Sequence, residues 1–106
     1  MENVVCIELL RRIKSEYQDV YYIRQDGFEV DFVICEGNKV LQLIQVTTEL
    51  DAIGTKQYRR EAGGLVKGSE LTGCNDLTII VLNGAEDTLS EGNKQIKVVP
   101  AAQWLV

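Results

Sequence analysis

Histidine is absent from all 106 residues. Without imidazole there is no Ser-His-Asp or Cys-His nucleophile pair, no H-E-x-x-H zinc helix and no side chain that ordinarily titrates near neutrality. Any chemistry has to run on carboxylates, amides, lysines or a metal. Cations are also scarce: 11 Lys and Arg stand against 16 Asp and Glu, for a net charge of −5. Coating a phosphate backbone normally rests on a surplus of cations, so the balance argues against a general nucleic-acid coat. The three cysteines, Cys6, Cys35 and Cys74, are odd in number, far apart and without a C-x-x-C pair. That argues against a zinc ribbon or a thioredoxin-type site and reads as reduced core thiols of a cytoplasmic protein. No apolar run approaches the ~18 residues of a membrane helix. The amino terminus carries Glu2 and no basic cluster, which is not the pattern of a signal peptide.

What remains is the balance of one soluble globular domain over residues 1–106, 45% hydrophobic and 25% charged, without repeats, linkers or low-complexity tracts. Val5, Cys6, Leu9, Leu10, Ile13 and Tyr17 recur at helical spacing and predict an amphipathic helix over 2–17. Strands are predicted over 20–25 and 28–35, joined by the two-residue hairpin signal Asp26-Gly27. Glu36-Gly37-Asn38 supplies a second turn into a strand over 39–47. The spacing of Tyr58, Ala62, Leu65 and Val66 predicts a helix over 55–70, with Gly63-Gly64 costing it about 1 kcal/mol each relative to alanine. Leu77 to Leu82 is apolar on both faces, as a covered central strand requires. Residues 83–94 lack periodicity and read as irregular, 95–99 as a last short strand, and Pro100 opens a terminal turn or short helix. A helix between the third and fourth strands implies a crossover to a parallel neighbour. The expected fold is therefore an α/β sandwich in the order α-β-β-β-α-β-β, a mixed sheet with helices on both faces.

Strand alternation puts Glu29 and Asp31 on one face, with Val30, Phe32 and Ile34 on the other, and gives Gln45 and Thr47 a common face on the third strand. If the two strands pair, these four polar groups converge as hard oxygen donors of the kind Mg²⁺ takes. An aspartate between Val30 and Phe32 is unusual inside a strand, with a solvated sheet face as the plain alternative. Tyr21, Tyr22 and Tyr58 are expected in the core rather than against bases. Lys56, Arg59 and Arg60 make a small basic cluster on the second helix. Gly63-Gly64 followed by Lys67-Gly68-Ser69 does not meet the G-x-x-x-x-G-K-[ST] spacing, which excludes a Walker-type ATP site there.

The order of elements, with Asp31 inside Gly27-Phe28-Glu29-Val30-Asp31-Phe32 and an apolar strand ending in Gln45-Val46-Thr47, resembles the PD-(D/E)XK nuclease superfamily. Glu2-Asn3-Val4-Val5 leading to Glu8-Leu9-Leu10-Arg11-Arg12, then Glu29 to Ile34, Leu43 to Thr47, Val98-Val99-Pro100 and Trp104-Leu105 are more narrowly similar to one domain type. It is the carboxy-terminal nuclease-like domain of unknown function that follows a P-loop (AAA-type) ATPase module in bacterial and archaeal proteins. The resemblance implies a restriction-endonuclease-like sheet and Mg²⁺-assisted phosphodiester hydrolysis of DNA. Asp31, Gln45, the backbone carbonyl of Val46 and Glu8 would hold the ion, and Asp31, Gln45 and Thr47 would stand at the catalytic positions.

Two of these positions depart from the pattern. Gln45 replaces an acidic residue and brings no charge to a hard cation, and Thr47 replaces the lysine that would sit beside the attacking water. Losing one such contact typically costs about 10²–10³ in rate. Lys56 is the nearest lysine after the third strand, and Glu8 has the plain alternative of pairing with Arg11 or Arg12 along its helix. The implied function is thus a nuclease-like domain with a degenerate magnesium site. The rival reading is a non-catalytic module that binds a protein partner or regulates an ATPase domain. The first predicts Asp31 and Gln45 lining a concave cleft edged by Lys or Arg; the second predicts an exposed apolar patch near Trp104 or the second helix.

Overall fold

The computed structural model describes residues 19–25 and 27–104, and the side chains of residues 20–25 and 27–103. The helix expected over 2–17, with Glu8 and Cys6, lies outside the described residues, as does Asp26. Three strands open the described part: β1 (Asp19–Gln25), β2 (Phe28–Glu36) and β3 (Lys39–Thr47). Helix α1 (Lys56–Thr72) leads to β4 (Leu77–Val81), β5 (Asp87–Glu91), β6 (Lys94–Pro100) and the four-residue helix α2 (Ala101–Trp104). The six strands form one mixed sheet in the order β1-β2-β3-β4-β6-β5. β3, β4 and β6 run parallel at its centre, and antiparallel partners flank them on both sides. The crossover through α1 to a parallel neighbour is as the sequence predicts. The stretch 83–94 differs, since it contains β5 instead of being irregular throughout.

α1 starts where Thr55 caps it: the threonine hydroxyl accepts from the Tyr58 N–H at 3.2 Å and donates to the Ala52 carbonyl at 2.8 Å. It stops at Gly73, whose φ of 77° lets its N–H return to the Ser69 carbonyl at 2.8 Å. Between these caps the helix is continuous through Gly63 and Gly64. A Cβ on Gly64 would come within 2.4 Å of the Glu29 carbonyl oxygen, and one on Gly68 within 2.9 Å of Val30 Cγ2. Four residues apart, these glycines share a helix face and let α1 lie directly on β2.

The α1 side of the sheet buries Val30, Val33, Leu43, Leu65, Ile79 and Ile96; the other side buries Ile34, Ile44, Val46, Ile80 and Ala101. α2 packs on this second side through Ala101. All of β4 is buried, as its two-faced apolar run requires. Cys35 and Cys74 are buried. Tyr58 is in the core as expected, but Tyr21 and Tyr22 are 57% and 71% exposed on β1, the edge strand of the sheet among the described residues. No helix of the described residues is long and apolar enough to cross a membrane.

Candidate functional site

The strand register breaks at the position of Asp31. Tyr21 pairs with Val33 and Ile23 with Val30, so the single residue Tyr22 on β1 faces two, Asp31 and Phe32, on β2. This is a bulge, and it corrects the expected alternation: Val30 packs with the α1-side cluster, whereas Phe32 and Ile34 pack with the opposite one. The extra residue shifts the side-chain phase along β2.

At the same point β2 leaves β3. Their ladder runs from Glu36 and Lys39 to Phe32 and Ile44 and ends there. Beyond it, side chains take over the backbone groups that the ladder leaves open. The Asp31 N–H donates to Gln45 Oε1 at 2.8 Å, and the Val46 N–H donates to Asp31 Oδ2 at 2.9 Å. Gln45 Nε2 donates to the Glu29 carbonyl at 2.7 Å and to the Glu61 carbonyl of α1 at 3.3 Å. An amide serves here because the position needs an acceptor for one N–H and donors for two carbonyls at once. Gln45 is only 3% exposed.

In front of this knot lies a cavity of about 690 Å³ lined by Asp31, Glu29, Val46, Thr47, Arg60 and Glu61 among others. Asp31 lines it and Gln45 stands behind. Thr47 reaches the rim, but its hydroxyl donates to the Glu49 carbonyl and accepts from Gln57 Nε2, both at 3.0 Å. Glu29 pairs across the strands with Arg24 at 3.5 Å. The structure therefore joins Asp31 and Gln45 directly and turns Thr47 towards α1. Lys56 is exposed and does not line the cavity, and among the described residues the basic side chain that does is Arg60, 3.4 Å from the Glu61 carboxylate.

Arg60 belongs to the small basic cluster that the sequence shows on this helix, where a solvated face is the plainer expectation, and Glu61 is not among the expected site residues. Glu61 lies four residues before Leu65 and one before Ala62, and so within reach of the buried helix face, which is a signal for a carboxylate turned inward. A magnesium ion finds a poor donor set in what is described. Gln45 brings no charge, its oxygen already accepts a backbone N–H, and no group of three acidic, cysteine or histidine side chains among the described residues is placed to hold a metal. Glu8, the remaining carboxylate of the implied set, lies outside the described residues.

The family described as a domain of unknown function, DUF4143, matches residues 1–104. The chain is also 34% identical over 107 residues to the uncharacterized protein MJ1544 of Methanocaldococcus jannaschii, a match that takes in 98% of this chain and 24% of that protein. The chain thus spans about a quarter of that relative's length. No solved structure matches it.

Proposed function

This chain belongs to the DUF4143 family of domains of unknown function, and from that premise we propose that it is a nuclease-like module of a longer, P-loop ATPase-associated protein, with a hydrolytic site that has become structural. One observation carries the reading. The two residues at the head of the implied metal site, Asp31 and Gln45, are engaged in closing the gap between β2 and β3, holding the Asp31 and Val46 N–H groups and the Glu29 carbonyl. In a hydrolytic site of this kind those side chains would face an ion and the attacking water, and a lysine at position 47 would steady the developing charge. Here Thr47 donates to its own loop. The restriction-endonuclease-like order of the sheet and an ATPase module as the covalent partner belong to the same proposal, and the short span of the match to the longer relative supports it.

The test is a calorimetric titration of this chain with Mn²⁺ and Mg²⁺, beside cleavage assays on supercoiled and single-stranded DNA, with Asp31→Asn as the control. The proposal expects no saturable binding up to millimolar metal and no cleavage beyond that of Asp31→Asn. Metal-dependent cleavage that Asp31→Asn abolishes would overturn it and make the domain a working nuclease.

A further inference from the structure

A second concavity, away from Asp31, lies at the carboxy-terminal ends of the parallel strands β3 and β4, where open α/β sheets present their crevices. Its volume is about 260 Å³, and Leu50, Ile53, Tyr58, Val81, Leu89 and Val98 form its apolar wall. The loop 48–55 and the segment 82–86 frame it, and both are held in place. Leu82 and Asn83 donate backbone N–H groups to the Thr47 and Thr48 carbonyls at 3.2 and 2.8 Å. Gln57 of α1 accepts from the Asp51 N–H and donates to the Glu49 carbonyl, at 2.9 and 2.8 Å. The groove is therefore formed before anything enters it.

Two features mark its occupant. Ile53, on its wall, is 75% exposed, so apolar surface stands open at the mouth. The framing segments are also of one sign: residues 48–55 and 82–91 carry Glu49, Asp51, Glu86, Asp87 and Glu91 and no Lys or Arg. Among the described residues no Lys or Arg pairs with any of the five. Asp51 and Asp87 line the groove itself. We propose that this groove docks a segment of a separate protein that inserts one aliphatic side chain between Ile53 and Leu89 and sets Lys or Arg on the acidic rim.

The volume falls below the ~300–1,000 Å³ of small-molecule pockets, so it suits one side chain better than a cofactor. A second copy of this chain, itself at net charge −5, is repelled by the rim.

The experiment is a titration of the ¹⁵N-labelled chain, followed by amide shifts, with the peptide Lys-Arg-Leu-Arg-Lys. Lys-Arg-Gly-Arg-Lys and Glu-Asp-Leu-Asp-Glu are the controls. Saturable shifts are expected at Ile53, Gly84, Ala85 and Asp87, with an affinity that falls as salt rises. Replacing the central leucine by glycine should weaken binding at least about tenfold, and the acidic peptide should not bind. Ile53→Ser and Asp87→Asn should each weaken the basic peptide, and the dispersed amide spectrum reports that both variants are folded. Equal binding of the glycine peptide, shifts centred on Asp31 and Arg60, no saturable shifts, or a concentration-dependent dimer that uses this face would each overturn the proposal.

Discussion

At the scale of single residues, Gln45 explains most of the site. Its neighbours require an amide: an N–H points at its oxygen and two carbonyls point at its nitrogen. A carboxylate has no hydrogen to give the Glu29 and Glu61 carbonyls and would lie buried against them. Gln45→Glu is therefore expected to destabilise the fold by about 2–4 kcal/mol at neutral pH. The sign with pH follows from the same contacts. Burial against two acceptors raises the introduced acid's folded pKa, so the variant loses stability as pH climbs above the ordinary carboxylate value of about 4 and regains it below. Urea denaturation of both proteins between acid and neutral pH checks this, and a constant difference would show that the amide's two donated bonds do not matter. Gln45 was legible in sequence as a polar residue in an apolar strand. Its task was not, because that depends on β2 leaving β3 at Asp31, which alternation along a strand does not reveal.

At the scale of elements, α1 carries three glycines that helix propensity alone would count against it, and they are not alike. Gly64 and Gly68 face the sheet where a Cβ has no room, while a Cβ on Gly63 meets nothing within 4 Å. Gly63→Ala should accordingly stabilise the protein by about 0.5–1 kcal/mol, chiefly by restricting the unfolded chain. Gly64→Ala should destabilise it by about 2 kcal/mol or more, since the clash falls on the Glu29 backbone and Gln45 rather than on a flexible side chain. Thermal melts of the two variants should move in opposite directions. The sequence made the helix visible through its apolar spacing and hid the reason for its glycines, which lies in another element. It hid β5 differently. Asp87-Thr88-Leu89-Ser90-Glu91 buries only Leu89, so hydrophobic alternation is too weak to read. The turn that follows was the available signal: Glu91-Gly92-Asn93-Lys94 repeats Glu36-Gly37-Asn38-Lys39, and both close antiparallel hairpins with Gly at a φ of 61°.

At the scale of the whole molecule, one helix ties the two antiparallel wings of the sheet to its parallel centre. Gly64 rests against β2 on one side of the sheet order, and Tyr58, two turns earlier, donates its hydroxyl to the Glu91 carboxylate at the end of β5 on the other. The tyrosine ring is buried among Leu89 and its neighbours in the α1-side core, so removing the hydroxyl alone leaves that packing in place. Tyr58→Phe should remove about 1.5–2 kcal/mol, the lower part of the range for a hydrogen bond to a charged group, because the half-buried Glu91 keeps access to water. Burial first, and Glu91 second, push the Tyr58 hydroxyl up to about 12. The unfolded chain releases that proton near pH 10 while the folded one retains it. The contribution of the hydroxyl is thus complete below about pH 10 and disappears as pH rises from there towards 12. Denaturant unfolding of wild type and Tyr58→Phe should accordingly show a gap at about pH 8 that closes by about pH 11.5. Because both proteins keep the ring, the absence of any gap at about pH 8 would mean that the tether between α1 and the β5–β6 hairpin is the ring's packing and not the bond to Glu91.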